Sequence, residues 1–159
     1  MESLRSYEMG YMTLIVGLLE ILEEANGIEV TEDMMYLNGK RRGEHIGKKL
    51  GAGKDPKTAI SEFIEYVRPY YDIEITEEGN TKNGYMVQIQ VNKCLIKEMC
   101  KNRGISIKNP LCKSTQGFIE GALSFMSGMQ VIENTPLVNW ETCQGSVEFK
   151  RKRDIFGFL

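Results

Sequence analysis

Two cysteines in the last third of the chain have the residue type and position for chemistry. Cys112 follows Pro110 at the start of a stretch with helical periodicity, and Cys143 lies in "NWETCQGSVEF". Because a helix dipole favours negative charge at the N-terminus, we expect a lowered pKa for Cys112, suited to metal binding or reaction. Both thiols with Glu141 could ligate zinc, but a closed site takes four ligands and no CxxC pair is present. Spacing alone favours the alternative, buried structural cysteines.

Other motifs point away from common catalytic sites. His45 is the only histidine, and its neighbours at helical spacing are basic, so a surface or half-buried side chain is favoured over a metal or haem ligand. In "GAGKD", residues 51–55, Lys48 stands where a phosphate loop needs its first glycine and Asp55 where it needs Ser or Thr. No dinucleotide fingerprint and no convincing acid/base pair support an enzyme.

The composition limits the class of protein. The 159 residues predict a single domain over 1–159, and 20 basic against 22 acidic residues give no electrostatic case for nucleic acid. By elimination, a small molecule or a protein is the expected partner. The four cysteines lack a secretory signal and are interpreted as reduced thiols of a cytoplasmic protein. The most apolar window, residues 11–22, is interrupted by Glu20 and is too short to span a membrane.

The first half of the chain has helical patterns. An apolar helix is predicted over about 9–25, and since almost every side of it is apolar, it lies either in the core or at a dimer interface. A second helix is predicted over 32–50, with Thr31 as its N-cap. Asp55 and Pro56 begin a third, which ends near Pro69.

The second half changes to alternating patterns. Two strands, around 71–76 and 85–91, form an antiparallel hairpin joined by a predicted loop over 77–84. After a short helix near 95–101, a longer helix runs from Pro110 to Gly128. Strands over about 129–140 and 146–152 close the chain. These elements predict an α+β domain with an antiparallel sheet of about four strands packed with helices.

The second predicted helix carries a glycine at every fourth position, Gly39, Gly43, Gly47 and Gly51. Each glycine in a helix interior costs about 1 kcal/mol relative to alanine, so a close contact must offset that cost. Helix-on-helix packing is favoured over direct ligand contact, which stays the alternative.

The order of these pieces resembles the 4-vinyl reductase family of small domains, which is related in fold to TRAPP-type trafficking subunits and to haem nitric-oxide-binding domains. The matching residues are Cys112, Gly117 with Phe118, Gly121 and Gly128, supported by "GKRRGEHIGKKLG" and the final "GSVEF". The resemblance covers about residues 35–152. It implies an α+β domain that dimerises through helices and binds a small hydrophobic, hydrocarbon-like molecule.

The resemblance also implies the site residues. The helix that begins near Pro110 lines a pocket, and zinc is ligated by Cys112 and by Cys143, with Glu141 or Glu133 as carboxylate. The family's further cysteine before the last aromatic residue is missing here, since Ser146 and Val147 stand in that region. Plain core is the alternative for each pocket residue. The predicted ligand-binding residues are Phe118, Gly121, Phe125, Met126 and Trp140, together with strand residues from Val87 to Val91.

Two functional hypotheses result. The first is a cytoplasmic homodimeric sensor-type domain that binds a small apolar molecule, with zinc as a structural clip near the pocket. The second is a protein-interaction module without a ligand, in which partners cover the apolar first helix and the tail "DIFGFL", residues 154–159. Reductase activity, suggested by the family name, needs a cofactor for which the residues show no motif.

Overall fold

The structure is a computed structural model that describes residues 2–152, with side chains from residue 6 onward. The predicted tail segment 154–159 lies outside the described residues. The elements, in chain order, are α1 Glu2–Asn26, α2 Ile28–Leu50, α3 Pro56–Val67, β1 Tyr71–Thr81, β2 Gly84–Cys94, α4 Leu95–Arg103, α5 Leu111–Ser127, β3 Gln130–Leu137 and β4 Cys143–Lys150. The predicted α+β class is confirmed.

The four strands form one antiparallel sheet in the order β1-β2-β4-β3. Each hairpin, β1–β2 and β3–β4, is continuous in sequence, and β2 and β4 pair in the centre, with Ile89 opposite Gly145. Helices α4 and α5 connect the two hairpins. The long connection therefore carries α5 back across one face of the sheet.

The hydrophobic core lies between this sheet face and helices α3 and α5. Alternate residues of the central strands, Val87 and Ile89 in β2 and Val147 and Phe149 in β4, are buried there. Since side chains alternate along a strand, the residues between them face the opposite, more polar side. Phe63 of α3 packs into the same core and is among its largest fully buried side chains.

Helix α2 packs against α5 through the glycine stripe. Gly39, Gly43 and Gly47 are buried, and a Cβ atom on any of them would overlap backbone atoms of α5. From α5, Gly117 and Gly121 approach the backbone of α2 in the same way. The favoured interpretation of the stripe, close helix packing, is confirmed for these three positions, whereas Gly51 ends the helix at a φ of 100°.

Two predicted boundaries are wrong. Helix α2 begins at Ile28, so Thr31 lies inside it and its hydroxyl donates to the carbonyl oxygen of Gly27 at 2.8 Å. The predicted loop over 77–84 is mostly strand, because the polar end of β1 pairs with β2 and its Glu78 accepts a hydrogen bond from the Tyr85 hydroxyl at 2.6 Å. Exposure on both faces removes the alternation by which such a strand is recognised.

Helix α1 and the start of α2 leave much apolar surface exposed. The prediction of an apolar helix over 9–25 is confirmed within α1, yet among the described side chains of this helix, from residue 6 onward, only Leu19 is buried. In the described part of the chain, none of the helices is long and apolar enough to cross a membrane. Exposed large apolar residues of these two helices are Tyr7, Met9, Tyr11, Leu14, Ile15, Leu18, Ile21, Ile28, Val30, Met34 and Leu37.

Candidate functional site

A cavity of about 410 Å³ lies between the first half of α5 and the face of the sheet that carries Ile73 and Ile89. The segment before α5 borders it through Lys108 and Asn109, and the β3–β4 connection borders it through Pro136 and Val138. The cavity therefore lies at the end of the interface between α5 and the sheet that is nearest the N-terminus of this helix. The volume falls within the range of roughly 300–1,000 Å³ that is typical of small-molecule sites.

One side of the cavity is apolar, and each of its elements contributes through regular periodicity. Phe118 and Ile119 come from α5, and Phe63 from α3 packs against Phe118 with ring centroids 5.7 Å apart. The strands add inward-facing aliphatic side chains. Those on the sheet are Ile73 of β1 and Ile89 and Val91 of β2.

The other side is polar and centres on Glu133 of β3. This residue is only 6% exposed, and its Oε1 accepts a hydrogen bond from the hydroxyl of Thr135. Burial raises the pKa of Glu133, the nearby Glu120 raises it further, and Lys113 acts in the opposite direction. Gln116, also on the lining, donates to the carbonyl oxygen of Glu133 at 3.2 Å.

Glu120 is a second buried carboxylate, but its hydrogen bonds are made to neighbouring helices and strands. Its Oε1 accepts from the backbone N–H of Glu133 at 3.0 Å and from Gln116 at 3.3 Å, and its Oε2 accepts from the Tyr36 hydroxyl. Burial and this carboxylate raise the pKa of Tyr36 to about 12. Glu120 thus links α2, α5 and β3 beside the cavity.

Three of the four cysteines line the cavity: Cys94, Cys112 and Cys143. Burial raises the pKa of Cys112 to about 11, and its thiol donates to the carbonyl oxygen of Ile107 at 3.5 Å. The predicted lowering of this pKa by the helix N-terminus is wrong, because the loss of hydration outweighs the dipole. The fourth cysteine, Cys100, is fully buried, and all four are free thiols.

The described side chains do not fit the zinc site that the resemblance implies. The Sγ atom of Cys112 lies 3.5 Å from the carbonyl oxygen of Ile107 and that of Cys143 lies 3.9 Å from the carbonyl oxygen of Asn139, so each thiol is directed to a backbone acceptor. Within residues 2–152, no three His, Cys, Asp or Glu side chains are grouped so that they could hold a metal ion.

The five predicted ligand-binding residues are dispersed. Phe118 lines the cavity, whereas Gly121 faces the backbone of α2 and Met126 is fully buried in the core beyond the cavity lining. Phe125 packs beside Gly47 of α2, and Trp140, in the β3–β4 connection, is 52% exposed. Gly121 and Phe125 miss the cavity because residues four apart lie on the same side of a helix, and in α5 that side faces α2.

Sequence reasoning did not find the polar lining residues Gln116, Thr115 and Tyr71. The spacing of residues in α5 could have predicted Gln116. Positions 112, 116, 119 and 123 form one stripe of the helix, which is polar in its first turn and apolar afterwards. The Tyr71 hydroxyl lies 3.2 Å from that of Thr115, and burial raises the pKa of Tyr71 to about 12.

A scan of the sequence against models of known protein families gives no match, and neither does a search of curated proteins. A solved structure does match: the phenol-responsive sensory domain of the transcription activator PoxR, crystallised with phenol. The alignment has a TM-score of 0.60 and 10% identity, and it covers 87% of this chain and 74% of that chain. The two chains share a fold.

Proposed function

We propose that this chain is a sensor-type domain that binds a small, largely apolar molecule in the cavity between α5 and the sheet. The observation that carries the proposal is the cavity itself, about 410 Å³ in volume and lined by apolar side chains on one side and by buried polar groups on the other. A pocket that combines an apolar wall with a few convergent polar groups is typical of small-molecule sites.

The shared fold supports this proposal, because the PoxR domain is described as phenol-responsive. The resemblance to the 4-vinyl reductase family agrees with the glycine contacts between α2 and α5, and membership of that family is part of the proposal. Zinc stays a prediction from the resemblance, and metal analysis of the purified protein tests it. The free thiols agree with a reducing compartment, the cytoplasm.

We further propose that the protein is a homodimer whose interface is the apolar surface of α1 and the start of α2. Leu14 is 66% exposed and Leu18 is 61% exposed on this surface, and exposed apolar patches of such extent mark interaction sites. A second copy is a suitable occupant, because a two-fold axis lets the same patch cover itself.

The same surface favours the second candidate function, a protein-interaction module without a ligand. In that case another protein covers α1, and the cavity has no physiological occupant. The two functions differ in one measurable property, since only the sensor binds small molecules in the cavity.

The test is calorimetric titration of the protein with small aromatic probes, ethylbenzene and benzyl alcohol. A Val91→Phe variant fills the cavity from β2, and an Ile132→Phe variant adds the same side chain on the exposed opposite face of the sheet. We expect saturable binding by the wild type and Ile132→Phe, and binding at least tenfold weaker in Val91→Phe. Absence of binding by the wild type, or equal binding by all three proteins, would favour the interaction module.

A further inference from the structure

We propose that the cavity selects small apolar molecules that carry an N–H or O–H donor, and that the carboxylate of Glu133 accepts this hydrogen bond. The inference rests on the proposed function, and it adds the chemical class of the ligand and the residue that recognises it.

The orientation of Glu133 follows from its place in β3. Val131 and Glu133 are 4% and 6% exposed, whereas Ile132 between them is 36% exposed, so the two buried side chains face the helices. The apolar Val131 belongs to the core, and Glu133, two residues further along, lies on the cavity lining. A carboxylate thus occupies a position that the strand pattern would otherwise fill with an aliphatic side chain.

One oxygen of this carboxylate is without a protein partner. Oε1 accepts from the Thr135 hydroxyl, but among the described residues no side chain or backbone group donates to Oε2. Among the described residues, the buried side-chain N and O atoms that lack a partner include only Thr81 Oγ1, so Oε2 of Glu133 is open to the cavity that this residue lines. A molecule that fills the cavity takes water away from this oxygen, and a donor on that molecule compensates the loss.

Among the described residues, the neighbouring polar groups of the lining bond to one another or to backbone, and none of them donates to Oε2 of Glu133. The amide of Gln116 donates to Glu120 and to the carbonyl oxygen of Glu133 and accepts from Lys113 at 3.2 Å. The hydroxyls of Tyr71 and Thr115 pair at 3.2 Å. Two carboxylates border the cavity, Glu32 and Glu133, and of these Glu133 is the buried one, with an acceptor oxygen to offer.

Charge favours the same ligand class. Glu120 lies next to Glu133 and makes the local environment more negative, and within residues 2–152 no ion pair includes Glu133. Lys113 acts on Glu133 only at longer range, because its ammonium group is hydrogen-bonded to Gln116. Lys108 and Lys113 also border the cavity, but an anionic group placed against Oε2 of Glu133 itself would meet repulsion from the two carboxylates. A neutral hydroxyl or a protonated amine would complete the site there.

The experiment compares four probes of similar size by calorimetry near neutral pH. Benzyl alcohol is a neutral donor, benzylamine a cationic donor, ethylbenzene an apolar isostere and benzoate an anion. Since sites built to hydrogen-bond a ligand reject analogues without the donor, we expect one or both donors to bind at least tenfold more tightly than ethylbenzene, and benzoate to bind most weakly. Preference for benzylamine over benzyl alcohol would assign the donor to an amine, and the reverse order to a hydroxyl.

Two variants assign the preference to Glu133. Glu133→Met keeps the side-chain length and removes both acceptors, so it should lose the preference for donors while ethylbenzene binds as well as before or better. Glu133→Gln keeps an acceptor oxygen and should retain a preference for benzyl alcohol. Equal binding of donors and ethylbenzene by the wild type, or a donor preference that persists in Glu133→Met, would overturn the inference while the cavity function stands. Absence of binding by all four probes would overturn both proposals.

Discussion

A Cβ atom placed on Gly43 would lie 2.9 Å from the backbone nitrogen of Ala122, and closer still to the carbonyl oxygen of Phe118. Helices α2 and α5 therefore touch backbone to backbone, which fixes the position of α5. The opposite side of α5 carries Ile119 and Gln116 on the cavity lining. The glycine contact thus holds one wall of the cavity in place from behind.

A methyl group at this contact should destabilise the protein. We expect Gly43→Ala to lower the free energy of unfolding by roughly 2 kcal/mol or more, because steric overlap with a backbone exceeds the gain in helix propensity of about 1 kcal/mol. Urea unfolding followed by circular dichroism measures the change.

Gly10→Ala in α1 is the matched control, since nothing lies within 4 Å of a Cβ at that position. It should leave stability unchanged or raise it by up to about 1 kcal/mol. Equal effects of the two substitutions would mean that the backbones of α2 and α5 are not in close contact.

Charge introduced on the apolar surface of α1 should dissociate the proposed dimer. The double substitution Leu14→Glu and Leu18→Glu replaces two leucine side chains, which are 66% and 61% exposed, by carboxylates. Because buried unpaired charges are costly, we expect the double variant to sediment as a monomer at concentrations at which the wild type is a dimer.

The control for this substitution is Ile132→Glu in β3, where the side chain is 36% exposed on the sheet face opposite the buried Val131 and Glu133. It should leave the dimer intact, because α5 and the α2 helix packed on it lie on the other side of the sheet. A monomeric wild type in analytical ultracentrifugation would contradict the dimer and direct attention to a different partner.

The pH dependence of stability should reveal the cost of burying the ionised carboxylate of Glu133. Its pKa is raised in the folded state, chiefly by burial, so the folded protein holds this proton at pH values where the unfolded chain releases it. As the pH rises above the ordinary pKa of 4.5, the unfolded state binds fewer protons than the folded state. The free energy of unfolding therefore falls through this group as the pH rises.

Glu133→Gln removes the titration and keeps an acceptor for the Thr135 hydroxyl. We expect the free energy of unfolding of this variant, relative to the wild type, to increase between pH 4 and pH 7. Urea titrations of both proteins at several pH values measure the difference. A constant difference across this range would contradict the raised pKa.

Sequence patterns sufficed for much of the fold, for identifiable physical reasons. Asp55 accepts from the backbone N–H of Thr58 at 3.1 Å and Pro56 begins α3, as expected from capping chemistry. Gly128 ends α5 with a φ of 68°, where glycine is favoured. The alternating residues of β2 and the helix-packing interpretation of the glycine stripe were predicted from local periodicity, and the structure confirms both.

The site was harder to predict, because its members meet only through tertiary packing. Cys112 stands at a helix start, which favours the thiolate, but burial under the α4–α5 connection dominates its environment. The resemblance offers Glu133 as a zinc carboxylate, and its burial depends on β3 lying beneath α5. Gly121 and Phe118 are close in sequence and face different neighbours, α2 and the cavity.

The thiol of Cys112 should alkylate slowly in the folded protein. Its pKa is raised from 9.0 to about 11, so near neutral pH the thiolate is about a hundredfold scarcer than in an ordinary cysteine, and iodoacetamide reacts with the thiolate. Peptide-resolved mass spectrometry of timed iodoacetamide reactions at pH 7.5 measures the rate at Cys112 in native protein and in protein unfolded by urea. We expect the native rate to be lower by a factor of about a hundred or more, since burial also limits access. A native rate equal to the unfolded rate would contradict the raised pKa of this thiol.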